Sequence, residues 1–162
     1  MTKIENGITL SKNDSVSEGK GSYILLVELP EEQTIVIGSL KAVHFHRGHY
    51  AYVGSAMGGF KSRLNRHLRV NKRPRWHIDY LLQKASINNI ILCETKDTIE
   101  CTIAQALSSR FYAIPSFGSS DCKCHSHLFF ATGGKKMKSR VMSVTRLSTP
   151  EGTQVVRRKG QG

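Results

Sequence analysis

The sequence predicts an α+β fold, a small and mainly antiparallel sheet flanked by about three helices. Two observations carry this reading. Short β-rich runs crowd the chain before Gly58, and apolar residues at helical spacing dominate after Gly59. The resulting order is β-β-β-α-α-β-α-β, with the first strands antiparallel and the helices gathered behind them.

Taken in order, residues 1 to 20 read as a flexible leader, because Ser, Asn, Lys and Gly dominate from Ser11 to Ser22 without periodicity. Tyr23 to Leu29 is a short apolar, β-rich run. Pro30-Glu31-Glu32 reads as a turn and Thr34 to Leu40 as a second strand, so the two runs are expected to pair as a hairpin. A His-rich loop (His44, His46, His49) leads to a third strand, Tyr50 to Ser55, closed by Gly58 and Gly59. Phe60, Leu64 and Leu68 recur at i, i+4, i+8 and predict a helix over Phe60 to Val70. Pro74 separates it from a short helix over Arg75 to Gln83, with Ile78, Leu81 and Leu82 turned inward. Asn89 to Cys93 reads as a buried strand. Thr98 offers an N-cap for a helix from Ile99 to Phe111. Pro115 to Cys124 reads as a loop and His127 to Ala131 as the last strand. Residues 132 to 162 are set aside as a basic, flexible tail, which leaves one domain over 21 to 131.

Charge narrows the partners. The 162 residues carry a formal net charge of +12, which favours polyanions. Residues 131 to 162 hold eight Lys or Arg against one Glu, and residues 21 to 130 hold thirteen against eight acids. No run of 18 apolar residues occurs, so no membrane span is expected. The polar start, Met1 to Lys20, does not resemble a secretory signal. The chain is therefore expected in the cytoplasm, with Cys93, Cys101, Cys122 and Cys124 as reduced thiols. DNA is the expected partner and RNA the alternative; the sequence names no protein partner.

The sharpest local signal is basic. Lys61, Arg63, Arg66, Arg69, Lys72, Arg73 and Arg75 occur with no acid between Lys61 and Arg75. A cationic helix entered through Gly58-Gly59 offers a phosphate backbone N–H groups at its start and guanidinium forks along one side. A solvated helix face, with Arg stems covering apolar surface, is the bland reading of the same residues.

Gly21-Ser22-Tyr23, then Tyr52-Val53-Gly54-Ser55-Ala56, then Arg63-Leu64-Asn65-Arg66-His67, resembles the GIY-YIG nuclease superfamily. Trp76-His77-Ile78-Asp79-Tyr80 and Ser120-Asp121-Cys122-Lys123-Cys124-His125-Ser126-His127 are similar to its DUF123, or Uri-type endonuclease, branch. The resemblance runs from Gly21 to Phe130. It implies a metal-dependent endonuclease acting on DNA. By position it implies that Tyr23 is the general base, Tyr52 its supporting phenol, Arg63 the phosphate-stabilising arginine and Glu100 the ligand of one Mg²⁺ or Mn²⁺ ion. His67 and His77 match histidines near such sites. Two departures stand out. Tyr23 and Tyr52 lie 29 residues apart, which implies a hairpin insertion over Pro30 to Gly48, and the asparagine that some members carry downstream is missing. The alternative is therefore a degenerate module of the same fold that binds DNA or RNA without cutting.

These residue types suit the chemistry. Mg²⁺ takes one carboxylate together with waters and substrate phosphate, so a single Glu suffices. Free tyrosine has a pKa of about 10, so only about one in a thousand is ionised at neutral pH and a base role needs help from nearby positive charge. Each residue has an ordinary reading as well: a half-buried Tyr on a strand is core, and a Glu in a helix's first turn suits the helix dipole.

Cys122, Cys124, His125 and His127 invite a zinc reading. Cys-x-Cys is tighter than the usual zinc spacing, and no second ligand pair stands off at finger distance. The expectation is a pocket loop of Cys122, Cys124 and His127, with His127 or Cys124 touching substrate or shaping the pocket, in preference to structural zinc.

Overall fold

The computed structural model describes residues 2–5, 8–11, 19–148 and 153–157. Its centre is a six-stranded antiparallel sheet in the order β10-β7-β3-β6-β9-β8. The strands are β3 (Gly21–Leu29), β6 (Gly48–Ala56), β7 (Ser86–Glu94), β8 (Tyr112–Ala113), β9 (Leu128–Ala131) and β10 (Thr153–Arg157). Two hairpins form separate two-stranded sheets: β1 (Thr2–Glu5) with β2 (Ile8–Ser11), and β4 (Gln33–Val36) with β5 (Ala42–Phe45). Helices α1 (Phe60–Leu68), α2 (His77–Leu82), α3 (Glu100–Ser108) and α4 (Gly134–Ser148) complete the α+β fold. No helix among the described residues is long and apolar enough to cross a membrane.

The central strand β3 explains the layering. Side chains alternate across a strand, and β3 is apolar at both parities. Tyr23, Leu25, Val27 and Leu29 join the core beneath α1 and α2. Ile24 and Leu26 join the second core with Ile103 and Leu107 of α3 and Met137, Val141 and Val144 of α4. The sheet is therefore covered on both faces. On α1, the predicted stripe of Phe60, Leu64 and Leu68 is fully buried.

The structure corrects five expectations. Tyr23–Leu29 does not pair with the run after Pro30; β3 pairs with β6 and β7 instead. The insertion folds on itself as β4–β5, and its far end, Gly38–Leu40, is a 3₁₀ turn, so the expected strand to Leu40 stops at Val36. Thr98 does not cap α3: Ile99 holds that position, with no side-chain cap. The expected tail contains α4, because Met137, Val141 and Val144 recur at i, i+4, i+7 and bury a narrow stripe between basic residues. The expected leader likewise contains the β1–β2 hairpin. Residues 12–18 of that leader, and 149–152 and 158–162 of the tail, lie outside the described residues.

Candidate active site

Strand register builds the site. Tyr23 lies opposite Gly54, and Leu25 opposite Tyr52, so the two tyrosines are diagonal neighbours on one face of the sheet despite 29 residues of sequence between them. The glycine is required by packing: a Cβ at position 54 would stand 2.4 Å from both Cζ and Oη of Tyr23. Helix α1 lies over the same face and brings His67 to the Tyr23 hydroxyl at 2.6 Å. A cleft of about 390 Å³ opens here, and Tyr23, Tyr52, Arg63, His77 and Glu100 all line it. Five of the six residues assigned catalytic roles by resemblance thus share one cavity, drawn from β3, β6, α1, α2 and α3. The sixth, His67, sits behind Tyr23.

Burial sets the protonation of this group. Burial, with Tyr52 and Glu100 nearby, holds the Tyr23 phenol well above its usual range, and the Arg63 charge and hydrogen bond pull the other way. Burial also raises Tyr52, with Glu100 adding to the shift. His67 is 1% exposed. Its pKa is lowered to about 3, by burial first and then by Lys72, so it is neutral. Its Nδ1 is buried without a hydrogen-bond partner. A bare lone pair there costs less than an unpaired N–H, so the proton belongs on Nε2, which donates to the Tyr23 oxygen. His77 accepts the Gly118 N–H at Nδ1 over 2.9 Å, so its Nε2 carries the proton.

Arg63 and Arg66 each lie 4.5 Å from the centre of the Trp76 ring. Stacking on the indole orients the Arg63 guanidinium while leaving its N–H edges usable. Arg66 is spoken for: it donates to Asp79 Oδ2 at 2.7 Å. The buried Asp79 carboxylate also accepts the N–H groups of Arg75 and Trp76. Burial pushes the Asp79 carboxyl up, but these hydrogen bonds and the Arg66 charge hold it below the usual carboxylate range. Lys72 donates to the Arg66 and His67 carbonyls at the end of α1.

The basic stretch therefore divides. Arg63 and Arg75 line the cleft, and Lys61, Arg69 and Arg73 are exposed. Arg66 and Lys72 tie α1 to α2, so the expectation that they meet nucleic acid yields to a structural role. The start of α1 is also partly occupied, because Phe60 N–H donates to the Gly19 carbonyl.

The sequence reading assigned no site role to Asp121, which also lines the cleft, or to Cys101. Cys101, Cys122, Cys124 and His127 form one cluster, with ligand atoms within 4.8 Å of one another. Burial, and then Cys124 and Cys122, push the Cys101 thiol up to about 12. Of this cluster only His127 lines the cleft, and Cys122 and Cys124 lie against Cys101 and His127 instead. His125 is exposed and stands outside the cluster.

No curated protein and no solved structure matches the chain. A family model does, over residues 22–149, which takes in every element from β3 to α4. The chain belongs to the family described as the domain of unknown function DUF123.

Proposed function

We propose that this protein is a metal-dependent endonuclease that hydrolyses phosphodiester bonds in DNA. The observation that carries the reading is the shared cleft: Tyr23, Tyr52, Arg63, His77 and Glu100 line it together, from five separate elements. Structural roles alone would not require residues of these types to converge on one cavity.

The donor set fits a hard divalent ion. Glu100 and Asp121 both line the cleft, and Glu100 makes no ion pair among the described residues. Glu100, with Asp121 as a second oxygen donor, would hold Mg²⁺ or Mn²⁺. Such an ion would supply positive charge to the phosphoryl oxygens and acidify a bound water.

The chain's own residues would do the rest. Arg63, oriented by Trp76, donates to the phosphoryl oxygens as charge builds on them. Tyr23 takes the proton of the attacking water while the water oxygen bonds to phosphorus and the phosphorus–leaving-oxygen bond breaks. Tyr23 must first release its own proton to solvent water in the cleft, and its neutral phenol is the resting form. The Arg63 charge favours that loss, and neutralising Glu100 removes one influence against it. His67 steadies the resulting phenolate through its Nε2–H. His77, a neutral imidazole with its proton on Nε2, would give the leaving oxygen a hydrogen bond, and that oxygen takes its proton from solvent water. The exposed Lys61, Arg69 and Arg73 would meet backbone phosphates beyond the cut.

The raised Tyr23 pKa favours a second reading, a module that holds DNA or RNA in the same cleft without cutting. A plasmid-nicking assay with Mg²⁺ or Mn²⁺ separates them. The endonuclease reading expects nicking that Glu100→Ala and Arg63→Ala each reduce at least about 100-fold while Glu100→Ala keeps DNA affinity. Tight binding without cleavage of plasmid, branched, nicked or single-stranded substrates would establish the module instead.

A further inference from the structure

We propose that Cys101, Cys122, Cys124 and His127 hold one zinc ion in a closed, four-ligand structural site. The spacing objection to zinc concerned the segment from Cys122 to His127 alone. Helix α3 supplies the missing ligand from outside that segment: Cys101 sits in its first turn and takes the place that His125 would have had. Three thiols and an imidazole form a common structural zinc set, and no carboxylate or open position is involved.

The geometry suits the ion. With Zn–S about 2.3 Å and Zn–N about 2.0 Å, a tetrahedral site has sulfur–nitrogen edges of about 3.5 Å and sulfur–sulfur edges of about 3.8 Å. His127 Nε2 lies 3.4 Å from the Cys122 sulfur and 4.0 Å from the Cys101 sulfur. All four ligand atoms lie within 4.8 Å of one another, so a small contraction closes the cage.

The imidazole is already prepared. Its Nδ1 lies 3.2 Å from the Val53 carbonyl, which can only accept, so Nδ1 carries the proton. That leaves the Nε2 lone pair directed at the thiols. A backbone carbonyl on the far ring nitrogen is the usual outer partner of a zinc-bound histidine. His127 is also fixed by its main chain, because its carbonyl accepts the Val53 N–H at 2.9 Å. His127 is 3% exposed, so packing also holds its ring among the thiols.

The ion would cross-link three parts of the chain: the start of α3, the loop before β9, and β6 through Val53. Glu100 precedes Cys101 directly, so the same link fixes the carboxylate at the cleft wall. Binding releases the thiol protons, and the ion remains bound whether or not the cleft cuts DNA.

The test is metal content and thiolate spectroscopy on the full chain, expressed in zinc-supplemented medium and purified under reducing conditions. The expected result is one zinc per chain, kept through gel filtration. Co²⁺ added to zinc-stripped protein should give sulfur-to-metal charge-transfer absorption and the intense visible bands of a tetrahedral ion. Cys124→Ser and Cys101→Ser should each weaken zinc retention at least about 100-fold. A His44→Ala, His46→Ala double variant, which dismantles the exposed Glu32–His44–His46 cluster, should keep the full zinc content. Substoichiometric zinc in the reduced wild type would overturn the proposal. So would cobalt spectra without thiolate charge transfer, or zinc lost from the His44/His46 variant. The cobalt and His44/His46 measurements require no cysteine variant to fold.

Discussion

Replacing Gly54 with alanine tests how the site is packed. The new methyl would stand 2.4 Å from Cζ and Oη and 2.9 Å from Cε1 of Tyr23, against ordinary contacts of 3.4–4 Å. The ring must therefore retreat by about 1 Å, because Gly54 lies on an inner strand with pairing on both sides. Moving the ring breaks the 2.6 Å contact between the Tyr23 hydroxyl and His67. Overpacking costs about 1–3 kcal/mol, and the lost hydrogen bond adds about 1 kcal/mol. The expected loss of stability is about 2–4 kcal/mol, or very roughly 6–15 °C in Tm for a chain of this size. Cleavage should fall about 100-fold, as expected for a reacting group misplaced by about 1 Å. The decisive measurement is a double-mutant cycle by urea denaturation. In a Tyr23→Ala background the methyl has no ring to strike, so Gly54→Ala should cost less than about 1 kcal/mol there. Equal costs in both backgrounds would refute the steric reasoning, whatever the activity.

Further outcomes follow from the buried titratable groups Asp79 and His67. Asp79→Ala leaves Arg66 and two backbone N–H groups without their acceptor, and urea titration at neutral pH should show a loss of about 2–4 kcal/mol, somewhat below the range for fully buried pairs because Arg66 is partly exposed. Asp79→Asn keeps an acceptor for the N–H groups and should cost about half as much. Because the folded Asp79 pKa is depressed, its contribution is complete at neutral pH and is lost only as pH falls through that lowered value. His67 acts in a different window. Its pKa falls from 6.5 to about 3 on folding, so between these values the unfolded chain binds a proton that the folded chain refuses. Stability should drop as pH is lowered from about 7 to about 5, and His67→Gln should flatten that slope. An unchanged slope in the variant would count against the buried neutral imidazole.

Much of the fold was legible because it rests on local periodicity. The α1 stripe of Phe60, Leu64 and Leu68 and the apolar runs of β3, β6 and β7 state their own burial. What escaped was nonlocal. A three-residue turn after Leu29 invites pairing with the next run, yet β6 and β7 bury more apolar surface against β3 than the half-exposed β4 could. The α4 stripe is narrow, and the basic residues around it read as tail. Charge counting along Lys61 to Arg75 could not reveal that Asp79, one helix later, claims Arg66. The tyrosines, Arg63 and Glu100 were identified by resemblance, since periodicity assigns them only to strands and helices. Their convergence on one cleft became visible in three dimensions, as did the arrival of Cys101 beside a loop 21 residues further on.

The position of Tyr23 on β3 has a consequence for how the site fails. Its strand is hydrogen-bonded on both sides, to β6 and to β7, and has core on both faces. Amide protons in such a strand exchange with solvent through global opening. The phenol that lines the cleft is thus tied to one of the last elements to open. Partial loosening of this molecule would widen or narrow access to Tyr23 without moving Tyr23 itself.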